Sequence, residues 1–213
     1  MSGPRGRPRN TALDTAIANA TEVVLLSHGY SAMNIDRIAK VAGTTRAAIY
    51  RRAKTPGELT VALLVSRFGI NPASDSGDLR GDLRLIQELQ RRFFLDPMVQ
   101  AALAGLLSDF RTDLQLGEVF YERFIEPRRR SVAEMLARAA DRGEIASPTC
   151  SDVVADLLTG PLLLRAALPL VGPIDDTLVN ATIEAALMAC GAGEHAGAHA
   201  CRGSQRGASL RTI

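Results

Sequence analysis

Cationic side chains near the N-terminus are the residues of this chain best suited to binding chemistry. Residues 1–56 hold nine arginines and lysines against three acidic residues, a net charge of +6, whereas the whole chain of 213 residues carries +2. Guanidinium and ammonium groups pair with phosphates, and a basic end on an acidic body is the asymmetry expected when one end meets a polyanion. The charge distribution therefore predicts binding to nucleic acid.

The other reactive side chains lack the arrangement that catalysis or metal binding needs. Cys190, His195, His199 and Cys201 are spaced somewhat like zinc ligands, but they lie in a tail rich in Gly and Ala, without apolar residues to fold a metal site. Cys150 could sense redox state near a helix start, although a small packing residue is the simpler interpretation. Because no phosphate-binding loop, carboxylate pair or nucleophile motif stands out, we expect no enzyme, no cofactor and no metal.

We expect helices to position these cationic side chains. Hydrophobic residues make up 46% of the chain and aromatic residues 4%, and apolar positions recur at helical spacing with no convincing period-two strand. Several helix ends carry a signal: Asn34 and Thr45 as N-caps, Gly29 as a C-terminal stop, and Asp96 with Pro97 at a helix start. These patterns predict an all-α fold.

The segment Ile35–Tyr50 has the spacing of a helix-turn-helix. Two short helices that cross steeply need a small residue at their contact, a turn residue that tolerates positive φ, and an apolar plug from the second helix. Ala39, Gly43 and Ile49 meet these needs at spacings of four and six residues. A helix-turn-helix would give the cations a surface that fits DNA.

Around this motif the sequence resembles the DNA-binding region of the TetR family of transcriptional regulators. The matching residues are Gly29-Tyr30, Ile38-Ala39, Ala42-Gly43 and Ile49-Tyr50, followed by Leu59 in the next apolar helix. The body resembles a C-terminal ligand-binding domain that is common among actinobacterial members. Its matching segments are 79–83, 124–129, 142–145 and 158–162.

The resemblance implies that residues 45–52 form a recognition helix in the major groove. Arg46 and Ala47 would face base edges, with Arg46 pairing bidentately with a guanine. The residues implied or suggested to contact phosphates are Thr45, Tyr50, Arg52, Arg51 and Lys40. Arg51 and Lys40 could instead be simply solvated.

Two positions depart from the family pattern. The family usually has an aromatic residue where Ala53 stands, and a lysine where Pro56 stands. Lys54 could replace that phosphate contact. Loss of the aromatic residue should loosen the packing behind the recognition helix, so a relative's sequence preference does not transfer directly.

The N-terminal arm carries a second DNA-binding signal. Pro4-Arg5-Gly6-Arg7-Pro8 matches an AT-hook core, in which Arg5 and Arg7 would lie in the narrow minor groove of A·T-rich DNA. The alternative is a flexible basic tail that adds only non-specific affinity. The sequence supports these two interpretations about equally.

The resemblance places an inducer pocket among the middle helices. The candidate lining residues are Phe93, Phe94, Met98, Leu106, Phe110, Phe120 and Phe124. Each is more often a core residue than a ligand contact at such spacing. A pocket with this lining would take an apolar ligand. Arg111 or Arg165 could pair with an acid group on it, although exposure to solvent is the simpler explanation of both arginines.

The last two helices are apolar on more than one face, and such helices must be covered on every side. We therefore predict that they form a four-helix dimer interface with a second copy. The residues assigned to it are Val154, Leu157, Leu158, Leu162, Leu178, Ile183 and Leu187. The alternative is that these residues form an internal core.

Together these observations predict four segments: an arm at 1–9, a three-helix DNA-binding domain at 10–56, a larger helical ligand-binding and dimerisation domain at 57–190, and a disordered tail at 191–213. The expected partners are double-stranded operator DNA, a second copy and an unknown small molecule, with no membrane and a cytoplasmic location. We expect a repressor released from a palindromic operator by an apolar ligand. The rival hypotheses are a non-specific, A·T-preferring architectural protein and a helical enzyme with titratable residues clustered in a cavity.

Overall fold

The computed structural model describes residues 11–69, 75–145 and 151–191, and within them it contains helices and no strand. This confirms the predicted all-α class. The helices are α1 Thr11–His28, α2 Ile35–Val41, α3 Arg46–Tyr50, α4 Pro56–Arg67, α5 Leu79–Leu95, α6 Pro97–Thr112, α7 Leu114–Phe120, α8 Glu126–Asp141, α9 Ser151–Ala167 and α10 Asp176–Ala189. Short 3-10 turns span Tyr30–Ala32 and Pro169–Val171, and a π-helical segment spans Tyr121–Ile125. The arginines of the arm, Cys150 and the His and Cys residues beyond 191 lie outside the described residues.

Side-chain caps start these helices where the sequence predicts. The Asn34 side chain accepts from the backbone N–H of Arg37 at 2.8 Å, and Asp96 accepts from Met98 at 2.9 Å. Each cap satisfies a backbone donor that the first turn leaves without a helical partner. Gly29 follows α1 with a φ of 74°, which confirms its predicted role at the helix end.

Two helix boundaries differ from the prediction. The apolar pattern of the sequence predicts a helix that begins at Glu58, but α4 begins two residues earlier, at Pro56, because Thr55 caps it by accepting from the backbone N–H of Glu58 at 3.1 Å. Proline loses nothing at the first helical position, where its missing N–H would have no partner. The sequence pattern also predicts one helix from about 117 to 142, kinked or divided at Pro127. The structure interrupts it at Tyr121–Ile125, where the N–H of Glu126 donates to the carbonyl of Tyr121, five residues back. Pro127 follows directly and cannot donate to the normal helical partner.

The largest core cluster runs through both halves of the molecule. It joins α1–α4 to α6, α7 and the π-helical segment, with Leu25, Ile38 and Ile49 fully buried and Met98 and Phe124 nearly so. The predicted boundary at residue 56 therefore falls inside a continuous core. Burial of this apolar surface fixes the helix-turn-helix on the body.

A second cluster holds α5, α8, α9 and α10 together. Leu83, Met135, Leu158 and Ile183 lie at its centre with almost no exposed surface. The side chain of Gln87 crosses this region and donates to the carbonyl of Leu158 at 3.0 Å. The last two helices are thus part of the protomer's own core.

Arginines tie α4 to its surroundings at its C-terminal end. Arg67 pairs with Glu22 of α1 and, at 3.1 Å, with Asp96 at the start of α6. Arg128 donates to the carbonyl of Phe68, the residue that ends α4, and lies 3.4 Å from the ring centroid of Phe124. Burial lowers the pKa of Arg128 to about 10.

Candidate nucleic-acid interface

α2 and α3 form the helix-turn-helix that the sequence predicts. Ala39 and Ile49 are buried at the contact between the helices, and Gly43 turns the chain with a φ of 63°. The N–H of Thr44 donates to the carbonyl of Ala39 at 3.0 Å, which closes the turn. The three roles assigned from spacing are therefore confirmed.

The DNA contacts predicted between residues 45 and 54 are exposed. Ala48 and Ile49 face the core, so the other residues of the short α3 point outward. The exposed candidates are Thr45, Arg46, Ala47, Tyr50, Arg51, Arg52 and Lys54. Tyr50 is 55% exposed, which is a high value for a large aromatic side chain. Such exposure is typical of a surface that binds a partner. Their individual roles stay predictions.

Thr45 has a second function that shapes this face. Its side-chain oxygen accepts from the backbone N–H of Ala48 at 3.2 Å and so caps α3. A hydroxyl also carries one hydrogen to donate. The cap therefore fixes Thr45 at the start of the helix and leaves its donor available to a phosphate oxygen.

The structure adds contacts that sequence reasoning missed. Arg46 pairs with Asp36 of α2, and Arg52 pairs with Asp14 of α1 and donates to the carbonyl of Ala48 at 2.9 Å. Both acidic residues are visible in the sequence. Their pairing depends on how α1 and α2 cross α3, which no local pattern encodes.

The small residue at position 53 lies in the core behind α3. Ala53 is buried and its N–H donates to Ile49 at 3.0 Å. The backbone N–H of Lys54 donates to the carboxylate of Glu58 at 2.8 Å, so the turn into α4 is held by polar contacts. Lys54 itself is exposed, and its phosphate contact stays a prediction.

The phenylalanines proposed to line a pocket instead pack as core. Phe110, Phe120 and Phe124 stack with ring centroids 4.7 and 4.9 Å apart. The buried members of the predicted lining are Phe94, Met98, Leu106 and Phe124, and Phe93, Phe110 and Phe120 pack against the cores as partly buried residues. This packing favours the core alternative for these residues, and their role in lining a ligand pocket stays a prediction.

Two cavities lie elsewhere in the body. One of about 360 Å³ lies beside Arg80, Glu144 and Glu184. The other, of about 410 Å³, lies between α6 and the C-terminal end of α9. Its lining includes Leu95, Gln100, Leu103, Ala104, Arg165, Ala166 and Ile174. The second cavity thus has an apolar lining with a guanidinium beside it.

The residues assigned to the dimer interface also need correction. Six of them are buried within the single protomer: Val154, Leu158, Leu162, Leu178, Ile183 and Leu187. Leu157 is partly buried. Side chains inside the protomer's own core cannot contact a second copy. The large apolar side chains that α9 and α10 do expose are Val153, Leu164 and Met188.

Two further features of the described ranges concern metal binding and membrane insertion. No group of three or more His, Cys, Asp or Glu residues is placed to hold a metal ion there. None of the helices there is by itself long and apolar enough to cross a membrane, although α5 and α6, bent by 80°, meet the length and composition criteria as a pair.

Two family sequence models match the chain. "Bacterial regulatory proteins, tetR family" matches residues 17–63, and "Tetracyclin repressor-like, C-terminal domain" matches residues 73–186. The HTH-type transcriptional regulator Rv1556 of Mycobacterium tuberculosis is 30% identical over 168 residues, which cover 78% of this chain and 81% of that protein. The DNA-binding transcriptional repressor TetR of Mycobacteroides abscessus is 27% identical over 186 residues, covering 86% and 94%.

Solved structures share the fold. The TetR family transcription regulator SCO0332 superposes with a TM-score of 0.65 at 24% identity, covering 83% of this chain and 97% of that one. FadR from Bacillus subtilis, solved in complex with stearoyl-CoA, superposes with a TM-score of 0.64 at 16% identity, covering 84% and 98%. The relatives matched are transcriptional regulators and not enzymes. The helix-turn-helix, the helical body and these matches together place the chain in the TetR family of DNA-binding transcriptional regulators.

Proposed function

We propose that this regulator is a repressor that binds a palindromic operator as a dimer and leaves it when a small apolar molecule binds the body. The observation that carries the DNA-binding part is the exposed face of α3, where Arg46, Ala47 and Tyr50 lie together. A recognition helix reads bases with the residues near its N-terminal end, which here are Arg46 and Ala47. Repression is supported by the likeness to the repressor of Mycobacteroides abscessus.

Dimerisation through the last two helices is supported by the apolar side chains that they leave exposed. Leu164 is 49% exposed and Met188 is 72% exposed. A methyl group added at Gly160 would meet no atom within 4 Å, so the surface of α9 is open at this point. Small residues let helices approach closely, and a twofold interface uses the same patch on both copies. These features support a four-helix contact built from α9 and α10 of each copy.

The cavity between α6 and α9 is the ligand site that we propose in place of the phenylalanine cluster. Leu103, Ala104 and Ile174 line it beside Arg165 and Gln100. Arg165 donates through Nη1 to the carbonyl of Pro173 and Gln100 donates to the carbonyl of Phe94, and each carries further N–H groups that a ligand could use. Ligand sites are usually apolar with a few polar groups that fix orientation. This lining suits an apolar molecule with an acidic or carbonyl group, and the acyl chain bound by the similar fold of FadR belongs to the same chemical class.

Fluorescence anisotropy on duplexes from the upstream intergenic region would test the DNA-binding part. We expect preference for one palindromic duplex over a scrambled duplex of equal A·T content, with saturation at two chains per site. Equal binding to both duplexes that follows A·T content would instead favour a non-specific architectural protein.

Adding decanoic acid or its coenzyme A thioester to the preformed complex would test release from DNA. A complex that stays unchanged at a saturating concentration of the probe would count against this class of ligand.

A further inference from the structure

We infer that Asp36 is a specificity-determining residue that holds Arg46 in the orientation needed to read guanine. The inference rests on the proposed role of Arg46 as a base-reading residue. Asp36 lies in the first turn of α2, and Arg46 is the first residue of α3. A carboxylate on α2 therefore fixes the orientation of an arginine side chain on α3.

The pair uses one particular edge of the guanidinium. Nε of Arg46 contacts one carboxylate oxygen of Asp36, and Nη2 donates to the other. The arginine head is a rigid planar fork with five N–H donors, and paired contacts of this kind fix its direction as well as its position. Asp36 thus occupies the Nε–Nη2 edge of Arg46.

The edge of the guanidinium formed by Nη1 and Nη2 stays available for a contact with DNA. Among the described residues, Nη1 of Arg46 has no hydrogen-bond partner. Nη1 and the second hydrogen of Nη2 form a pair of parallel donors, and guanine presents a matching pair of acceptors, O6 and N7, in the major groove. Arg46 held by Asp36 therefore presents to DNA the donor pair that a guanine accepts.

Stability does not account for this contact. The Arg46 side chain is 66% exposed and that of Asp36 is 55% exposed. Pairs this open to water contribute only about 0–1 kcal/mol to folding. A carboxylate on a DNA-facing surface also repels phosphates, so Asp36 lowers the affinity for DNA in general. The remaining effect of Asp36 is to orient the Arg46 guanidinium. This orientation raises the affinity for DNA only where a guanine lies opposite Arg46.

Arg52 and Asp14 provide a comparison within the same domain. Arg52 uses Nε for Asp14 but commits Nη1 to the carbonyl of Ala48, and its side chain is only 27% exposed. Its donors are thus divided between two protein partners. This arrangement suits a phosphate contact better than a base contact, so removing Asp14 should not change base discrimination.

The experiment compares four proteins on two duplexes. Wild type, Asp36→Ala, Asp14→Ala and Arg46→Ala are titrated by anisotropy against an operator selected from random sequence, and against the same duplex with its half-site guanines changed to adenine. Loss of one good bidentate base contact lowers discrimination by roughly tenfold or more. We expect Asp36→Ala to lower the ratio of the two affinities to this extent without weakening binding to the altered duplex. Asp14→Ala should leave the ratio unchanged.

The double variant separates the inference from the proposal beneath it. Adding Asp36→Ala to Arg46→Ala should cause no further loss of discrimination, because the residue that Asp36 positions is gone. If Arg46→Ala lowers the ratio and Asp36→Ala does not, the positioning role is refuted while base reading by Arg46 stands. If Asp36→Ala raises binding to both duplexes equally, Asp36 is only a repulsive charge. If Arg46→Ala leaves the ratio unchanged, the base-reading role itself is wrong.

Discussion

The hydroxyl of Tyr30 donates to the carboxylate of Asp109 at 2.5 Å, across the junction between the helix-turn-helix and α6 of the body. The Tyr30 ring lies directly over Gly105, where an added Cβ would stand 2.1 Å from a ring carbon. Burial and the neighbouring Asp109 carboxylate raise the pKa of Tyr30 above its ordinary value, which favours the protonated hydroxyl that donates this hydrogen bond. A single side chain thus connects the DNA-binding helices to the body by both packing and hydrogen bonding.

Tyr30→Phe should destabilise the protein through the loss of this hydrogen bond. The ring still fits, but the partly buried Asp109 carboxylate loses its donor, which costs about 1–3 kcal/mol. Urea unfolding followed by circular dichroism measures the change. Asp109→Asn, which retains an acceptor oxygen, should cost less. Identical unfolding curves for wild type and Tyr30→Phe would show that the contact contributes nothing.

Gly105→Ala should disturb the same junction by steric conflict. The added methyl group overlaps the Tyr30 ring, so the ring or α6 must shift, at a cost of about 1–3 kcal/mol. Combining it with Tyr30→Ala removes the obstacle, and we expect the two effects to be strongly non-additive in a double-mutant cycle. Additive effects would mean that the methyl group meets something other than Tyr30.

Arg128→Lys should destabilise the body although the charge is kept. The guanidinium stacks on Phe124 and donates to the carbonyls of Phe124, at 2.7 Å, and Phe68. An ammonium group lacks the planar fork that makes these contacts together, so we expect a loss of about 1–2 kcal/mol in urea unfolding. Arg130→Lys is the matched control, because Arg130 is 65% exposed and pairs only with Glu126 at the surface. Equal effects of the two substitutions would contradict this account.

Leu164→Asp and Met188→Asp should convert the proposed dimer into monomers. Each places a charge on a surface that the dimer would bury, and an unpaired buried charge is costly. Sedimentation velocity measures the change in assembly. Leu85→Asp on α5 is the control, since Leu85 is 43% exposed on a helix that we do not assign to the interface. A dimer that survives both substitutions would place the interface elsewhere.

Removing residues 2–9 should reduce the salt dependence of DNA binding. Each phosphate contact that is lost lowers the slope of log affinity against log salt by about 0.9. If Arg5 and Arg7 act as an AT-hook, changing both to Lys should keep the slope and lose the preference for A·T-rich flanks. An unchanged slope after deletion would show that the arm touches no phosphate.

Local signals predicted the helix-turn-helix well. Caps at Asn34 and Thr45 and the trio of Ala39, Gly43 and Ile49 act over a few residues, so their geometry follows from their chemical type. They also place the exposed face of α3 correctly.

Long-range relationships were not predictable in the same way. A helix with several apolar faces does not reveal which face meets its own core, so Leu158 and Leu162 were assigned to the wrong partner. The pairing of Arg46 with Asp36 depends on a crossing angle, and the π-helical segment depends on hydrogen-bond register. Both arise from the packed structure as a whole.

The anchoring of α4 at both ends has a mechanical consequence. At its start, Gly57 has no room for a methyl group, which would lie 2.9 Å from Leu116 and 3.0 Å from the Tyr30 hydroxyl. At its far end, Arg67 and the Phe68 carbonyl are tied to α1, α6 and α8. A helix of 12 residues is about 18 Å long, and the terminal turns of α4 cannot fray without breaking these contacts. Each end of α4 is therefore held by both the helix-turn-helix region and the body, so α4 cannot move with one of them without breaking contacts with the other.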